Sequence, residues 1–174
     1  MNFELIVLCE EHKYQFKIDM QVSFQQGAAD EFGETEGEIL PESHIDRSLS
    51  AEGSVAYEAL IDGKSVGGAI VLIDSETQYN HLDFLYVKVG VQSKGVGKAV
   101  WQGIEALYPQ IKIWEICTLY FEERKIHFYV NCCGFHIVEY FNAYNKYPYE
   151  AEQEDTVPDN EYFNGMFRFE KVMK

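Results

Sequence analysis

Val87-Lys88-Val89-Gly90-Val91-Gln92-Ser93-Lys94-Gly95-Val96-Gly97-Lys98 joins an apolar run to an amphipathic one through a loop with glycines. His81–Val89 before it reads as a strand. Lys98–Tyr108 after it reads as a helix, with Val100, Trp101, Ile104, Leu107 and Tyr108 on one side and Pro109 as its stop. Gly95 and Gly97 fall where the helix begins. Amides in a first helical turn have no partner within the helix, the helix dipole favours an anion there, and glycine lets a phosphate approach the backbone. Charge points the same way. The 174 residues hold 29 acids against 14 bases, a net charge of −15, yet the 21 residues from Phe84 to Ile104 hold no acid. At one acid in six, three or four are expected there. Lys88, Lys94 and Lys98 stand in that window instead. The segment reads as an anion-binding turn. It is not a nucleotide P-loop, because Val96 follows the second glycine where that motif needs Lys. Nor is it a dinucleotide fingerprint begun at Gly95, because Val100 holds the third glycine's place.

Further out, Phe3–Cys9 reads as a strand. Glu11–Phe32 reads as an amphipathic helix with Tyr14, Ile18 and Val22 as its stripe. Asp30–Glu38 is rich in Gly and acids and reads as a loop, and Pro41 opens a short helix ending before Gly53. Ser54–Ile61 and Ser65–Ile73 flank Asp62-Gly63, a hairpin signal. Ile111–Leu119 is a strand, Glu122–Cys133 a helix with Gly134 at its cap, and Phe135–Phe141 a strand. Tyr144–Asn164 is an aromatic, polar loop, and Gly165–Met173 a closing strand. The strand–loop–helix–strand unit over 81–119 calls for a parallel crossover. The fold class is α/β (α+β): one domain over 1–174, with a mixed, mostly antiparallel sheet and about four helices.

Composition excludes several classes. The negative charge argues against a nucleic-acid binder and against an anionic membrane surface. No apolar run approaches the roughly 20 residues of a membrane helix, and no leader-like segment opens the chain. Cys9, Cys117, Cys132 and Cys133 contain no C-x-x-C pair, so no metal site is expected. A reduced, cytoplasmic protein is the expectation.

Gln92-Ser93-Lys94-Gly95-Val96-Gly97, following Leu85-Tyr86-Val87, resembles the acyl-CoA pyrophosphate loop of the GNAT superfamily of N-acetyltransferases, whose signature is Gln/Arg-x-x-Gly-x-Gly/Ala. Phe128-Tyr129-Val130-Asn131-Cys132-Cys133-Gly134-Phe135 is similar to the family's last helix, which ends in Tyr before Gly-Phe enters the next strand. The resemblance implies six to seven strands with a splayed parallel central pair and acetyl-CoA as cosubstrate. By position it implies that the amides from Lys94 to Lys98, with Gln92 and Ser93, wrap the pyrophosphate. The strand edge at Val87–Val89 would pair with the pantetheine arm, and Tyr129 would protonate the departing thiolate. Tyr129 lies five residues before Gly134, where many members have four; a π-bulge or the helix end would absorb the extra residue. Glu122, Glu123, Arg124 and Lys125 stand where many members carry an Asn that touches the cofactor.

An amine acceptor must lose a proton before it attacks. His81, Asp83, Leu85 and Val87 share a face by period two, so His81 or Asp83 is the expected base, with His127 a further candidate. Transfer would be direct, which leaves Cys132 and Cys133 as core packing. Asp30, Glu31, Glu34, Glu36 and Glu38 would wall the acceptor side and favour a cationic small-molecule amine. Dimers are common among relatives, so the resemblance also admits a homodimer. A non-catalytic acyl-CoA-binding module on the same fold and a purely structural protein are the other readings. The last leaves the acid-free loop unexplained.

Overall fold

The computed structural model describes residues 2–34, 37–91, 95–148 and 165–174. The chain divides into two compact units, Met1–Ile111 and Lys112–Lys174.

The first unit contains β1 (Phe3–Val7), α1 (Glu10–Phe32), α2 (Glu42–Ser50), β2 (Ser54–Ile61), β3 (Lys64–Leu72), β4 (Tyr79–Val87) and α3 (Val96–Leu107). Its four strands pair antiparallel in the order β1-β2-β3-β4. The β2–β3 hairpin turns at Asp62 and Gly63, both left-handed at φ 50° and 80°, as a tight two-residue turn between twisted strands requires. Neighbouring residues of β2 point to opposite faces. Glu58 reaches His12 of α1, while Tyr57 hydrogen-bonds Tyr108 at the end of α3. Helices α1 and α2 therefore cover one face and α3 the other. The α1–α2 face holds the core of Phe16, Met20, Leu40, Ile45, Ile70 and Tyr86.

Helix α1 buries a different stripe from the one expected. Tyr14 is 73% and Val22 49% exposed, whereas Phe16 and Met20 are buried and Phe24 packs against the same core. Phe16, Met20 and Phe24 form a second row at spacing four, and their larger apolar area gains more by leaving water. In α3, Val100, Trp101 and Ile104 are buried as expected, but Leu107 in the final turn is 48% exposed.

The second unit contains β5 (Ile113–Leu119), α4 (Glu123–His127), a π turn (Phe128–Cys132), β6 (His136–Phe141) and β7 (Met166–Val172). Its strands pair antiparallel in the order β5-β7-β6. Glu122 precedes α4, and its carboxylate accepts the Leu119 N–H at 3.2 Å and the Lys125 ammonium at 2.9 Å. The expected helix to Cys133 changes period after His127. The Cys133 N–H donates to the Phe128 carbonyl at 3.0 Å, an i→i+5 bond, and Gly134 ends the turn at φ 86°. Trp114, Phe135 and Phe169 are fully buried. Most of the expected loop at 144–164 lies outside the described residues. Among the described residues, no helix is long and apolar enough to cross a membrane.

Candidate active site

The anion-binding turn begins where β4 ends. The strand stops at Val87, two residues earlier than expected. The Lys88 N–H still donates to the Val66 carbonyl at 2.8 Å, and the Val91 N–H closes a turn onto the Lys88 carbonyl at 3.1 Å. Gly90 takes φ 95° inside that turn. Val89 therefore sits in a turn, 41% exposed, rather than on a strand edge. The Val87 carbonyl accepts the Ser23 hydroxyl at 2.8 Å. Gln92, Ser93 and Lys94 lie outside the described residues. Gly95 caps α3 in the left-handed conformation, φ 74° and ψ 13°, and among the described residues no side chain caps the helix. The Ala99 N–H donates to the Gly95 carbonyl at 3.0 Å, so the amides of Val96, Gly97 and Lys98 precede the first bond of the helical ladder. The first turn of α3 carries no acid. A Cβ placed on Gly95 would meet no atom of the described residues within 4 Å. Among the described residues the backbone is open there, and the donor set suits a diphosphate.

The candidate bases stand further back on β4. The β3–β4 ladder pairs Ile70 with Phe84 and Val71 with Leu82, so Asp83 is the extra residue of a β-bulge. The bulge breaks the period of two expected for His81, Asp83, Leu85 and Val87. Phe84 and Tyr86 meet Phe24 and Phe16 of α1, which turns Leu85 and Val87 toward the opposite face. Asp83 keeps to the α1–α2 face, where the Ser48 hydroxyl of α2 donates to its carboxylate. Ser48 is buried. His81 Nε2 lies 3.6 Å from the other oxygen of Asp83, so the period of two holds for this pair and the bulge breaks it only beyond Asp83. No feature of the sequence marked Ser48 or the bulge.

Tyr129 stands in the π turn of the second unit, 5% exposed. The ring centroids of Phe128, Phe135 and Phe169 lie 5.1, 5.8 and 6.4 Å from its own. Burial, reinforced by Cys133 and Glu122, raises the phenol's pKa above the ordinary tyrosine range. The π turn is what absorbs the extra residue between Tyr129 and Gly134. His127 Nδ1 lies 2.8 Å from the Asn131 amide nitrogen. Cys133 is buried, as core packing requires, but Cys132 is exposed and is no part of the core.

The five acids between 30 and 38 do not form one loop. Asp30 and Glu31 belong to the last turns of α1, where Asp30 accepts Gln26 at 2.8 Å. Glu38 accepts Gln21 at 2.9 Å, and Glu36 lies outside the described residues. Among the described residues, no group of three or more His, Cys, Asp or Glu stands ready to hold a metal ion.

Residues 21–135 match the Acetyltransferase (GNAT) family. The uncharacterized protein YrkN of Bacillus subtilis (strain 168) is 42% identical over 166 residues, covering 92% of this chain and 88% of YrkN. Among solved structures, the PaiA N-acetyltransferase of Thermoplasma acidophilum in complex with coenzyme A has a TM-score of 0.67 at 17% identity, covering 99% of each chain. A GNAT family acetyltransferase of Elizabethkingia anophelis with acetyl-CoA bound has a TM-score of 0.67 at 12% identity, also covering 99% of each. At such identities these likenesses establish the fold, which is the GNAT fold expected from the sequence. On the family match and the 42% relative together, the chain belongs to the GNAT family of acetyltransferases.

Proposed function

We propose that the chain moves acetyl from acetyl-CoA to the amine of a small molecule by direct transfer in a ternary complex. The observation that carries this reading is the N-terminus of α3, open at Gly95 among the described residues, free of acid in its first turn, and begun by a left-handed glycine. CoA or acetyl-CoA bound in two structural neighbours supports it.

Acetyl-CoA supplies a thioester whose carbonyl carbon is open to attack. The amides from Lys94 to Lys98, with Gln92, Ser93 and the Lys98 ammonium, hold the pyrophosphate. The backbone at Val87 takes the pantetheine arm, with Val89 in the turn beyond it. Asp83, backed by Ser48 and paired with His81, accepts the proton of the incoming amine, directly or through one water. Tyr129 keeps its proton at neutral pH because burial disfavours the phenolate, and it donates to the sulfur as the thiolate departs. The acids near the end of α1 and before α2 favour a cationic acceptor. We place the reaction in the cytoplasm, in a chain acting as one domain.

The test has two stages. CoA at about 1 mM should raise the melting temperature of the wild type, since a ligand of the native state stabilises it. Gly95→Asp should abolish that rise by setting a carboxylate against the pyrophosphate, while Gly95→Asn, equally tolerant of the left-handed backbone, should keep most of it. Absence of any rise in the wild type overturns the reading. A panel of amines with acetyl-CoA, followed by release of free thiol, then separates catalysis from an acyl-CoA-binding module. Cationic amines should outperform acidic ones, and added salt should narrow the gap.

A further inference from the structure

We propose that Cys132 is a reactive surface thiol that exchanges with low-molecular-weight disulfides, with His127 as its base and Asn131 holding the imidazole. His127 Nε2 lies 3.9 Å from Cys132 Sγ, and the other ring nitrogen lies 2.8 Å from the Asn131 side-chain amide. Nucleophile, base and a third group that orients the base are the arrangement that activates a side-chain nucleophile. The amide's oxygen and nitrogen exchange places by rotation about the side chain. With the oxygen accepting the Nδ1 proton, the Nε2 lone pair faces the thiol.

The π turn makes this arrangement. In an α-helix a residue five positions on lies about 140° round the axis, so positions 127 and 132 would face different ways. The i→i+5 bond from Cys133 to Phe128 widens the turn and brings 127 and 132 into line, with 131 beside them. Cys132 and Asn131 are exposed, so a small disulfide reaches the sulfur from solvent. Neighbouring Cys133 is 4% exposed and does not.

The step balances. The thiol proton passes to Nε2, and the thiolate attacks one sulfur of the disulfide. A new bond forms from Sγ to that sulfur as the original S–S bond breaks. The departing thiolate takes the proton back from His127. Cys132 is oxidised to a mixed disulfide while the small disulfide is reduced, and excess thiol reverses the exchange.

Cys9 supplies the internal reference: it is exposed in the same chain, and its side chain hydrogen-bonds the Glu11 carboxylate. The full chain is incubated with glutathione disulfide, and adducts at the two positions are followed by peptide mass spectrometry at several pH values. Cys132 should form its adduct about threefold to tenfold faster than Cys9. Cys132→Ser should remove that adduct and leave Cys133 unmodified. His127→Gln and Asn131→Ala should each slow the reaction toward that of Cys9 and make its pH profile run parallel to Cys9's. Equal rates at Cys132 and Cys9 in the wild type overturn the proposal. So does a His127→Gln variant with unchanged rate and profile. Should His127→Gln fail to fold, the wild-type ratio and Asn131→Ala still decide.

Discussion

Asp83 occupies the unpaired position of the β3–β4 ladder, and the buried Ser48 hydroxyl donates to it from α2. A carboxylate held from behind keeps one direction for its remaining lone pairs, which is what a base needs. Asp83→Asn is expected to lower kcat by about 10²–10⁴ while the melting-temperature rise with CoA persists. Ser48→Ala removes a hydrogen bond to a charged group and should lower kcat about tenfold with KM for acetyl-CoA unchanged. Ser48→Thr should restore most of the loss, since it keeps the hydroxyl. A rise in KM together with a fall in kcat would make Ser48 a packing residue alone. Tyr129→Phe keeps the ring contacts and removes only the hydroxyl. It should cost about 10²–10⁴ in kcat, again with CoA binding intact, and unchanged turnover would leave Tyr129 as packing.

At the scale of elements, two glycines test how α1 lies on its sheet. Gly68 of β3 sits beneath the helix. A Cβ there would lie 2.5 Å from Phe16 Cε2 and 2.6 Å from the Tyr57 carbonyl oxygen, so backbone and core both resist it. Gly68→Ala should destabilise by about 1–3 kcal/mol, read as a lower midpoint in urea. Gly27 lies inside α1, and a Cβ there would meet no atom of the described residues within 4 Å. Gly27→Ala should therefore stabilise by about 0.5–1 kcal/mol through helix propensity alone. If Gly68→Ala proves neutral, α1 does not lie as close to β3 as the structure places it. The π turn after α4 is the other element whose period matters. It admits one more residue before Gly134 and sets Tyr129 among Phe128, Phe135 and Phe169.

For the whole molecule, three tyrosines tie stability to alkaline pH. Burial raises the pKa of Tyr86, with Asp19 and Glu58 adding to it. Burial followed by the hydrogen bond to Tyr57 does the same for Tyr108, and burial does so for Tyr129. A folded pKa above the unfolded value, about 10, means the native state holds its proton longer. The stabilisation is complete below about pH 10 and is lost as pH rises through the folded values. Both units contain such a group, so each should lose structure on alkaline titration. Far-ultraviolet circular dichroism should collapse together with the last rise in tyrosinate absorbance. Full ionisation of all tyrosines with the dichroism unchanged would contradict the burial of Tyr86 and Tyr129.

The sequence by itself determined the order of elements, the hairpin at Asp62-Gly63, the cap at Gly134, the acid-free turn around Gly95 and the family. Each of these rests on a local cause: a turn conformation that glycine adopts, an apolar period, or a charge missing from a short window. Only the tertiary structure decided which face of α1 is buried, because Tyr14-Ile18-Val22 and Phe16-Met20-Phe24 have the same spacing and only the sheet selects between them. It alone decided the bulge at Asp83, since one unpaired residue depends on the partner strand's register. Ser48 reaches Asp83 across 35 positions of sequence, and no local pattern encodes a contact of that range. The π turn lies between these cases. The extra residue before Gly134 was legible, but whether a π turn or the helix end would absorb it depended on how Tyr129, Phe135 and Phe169 pack.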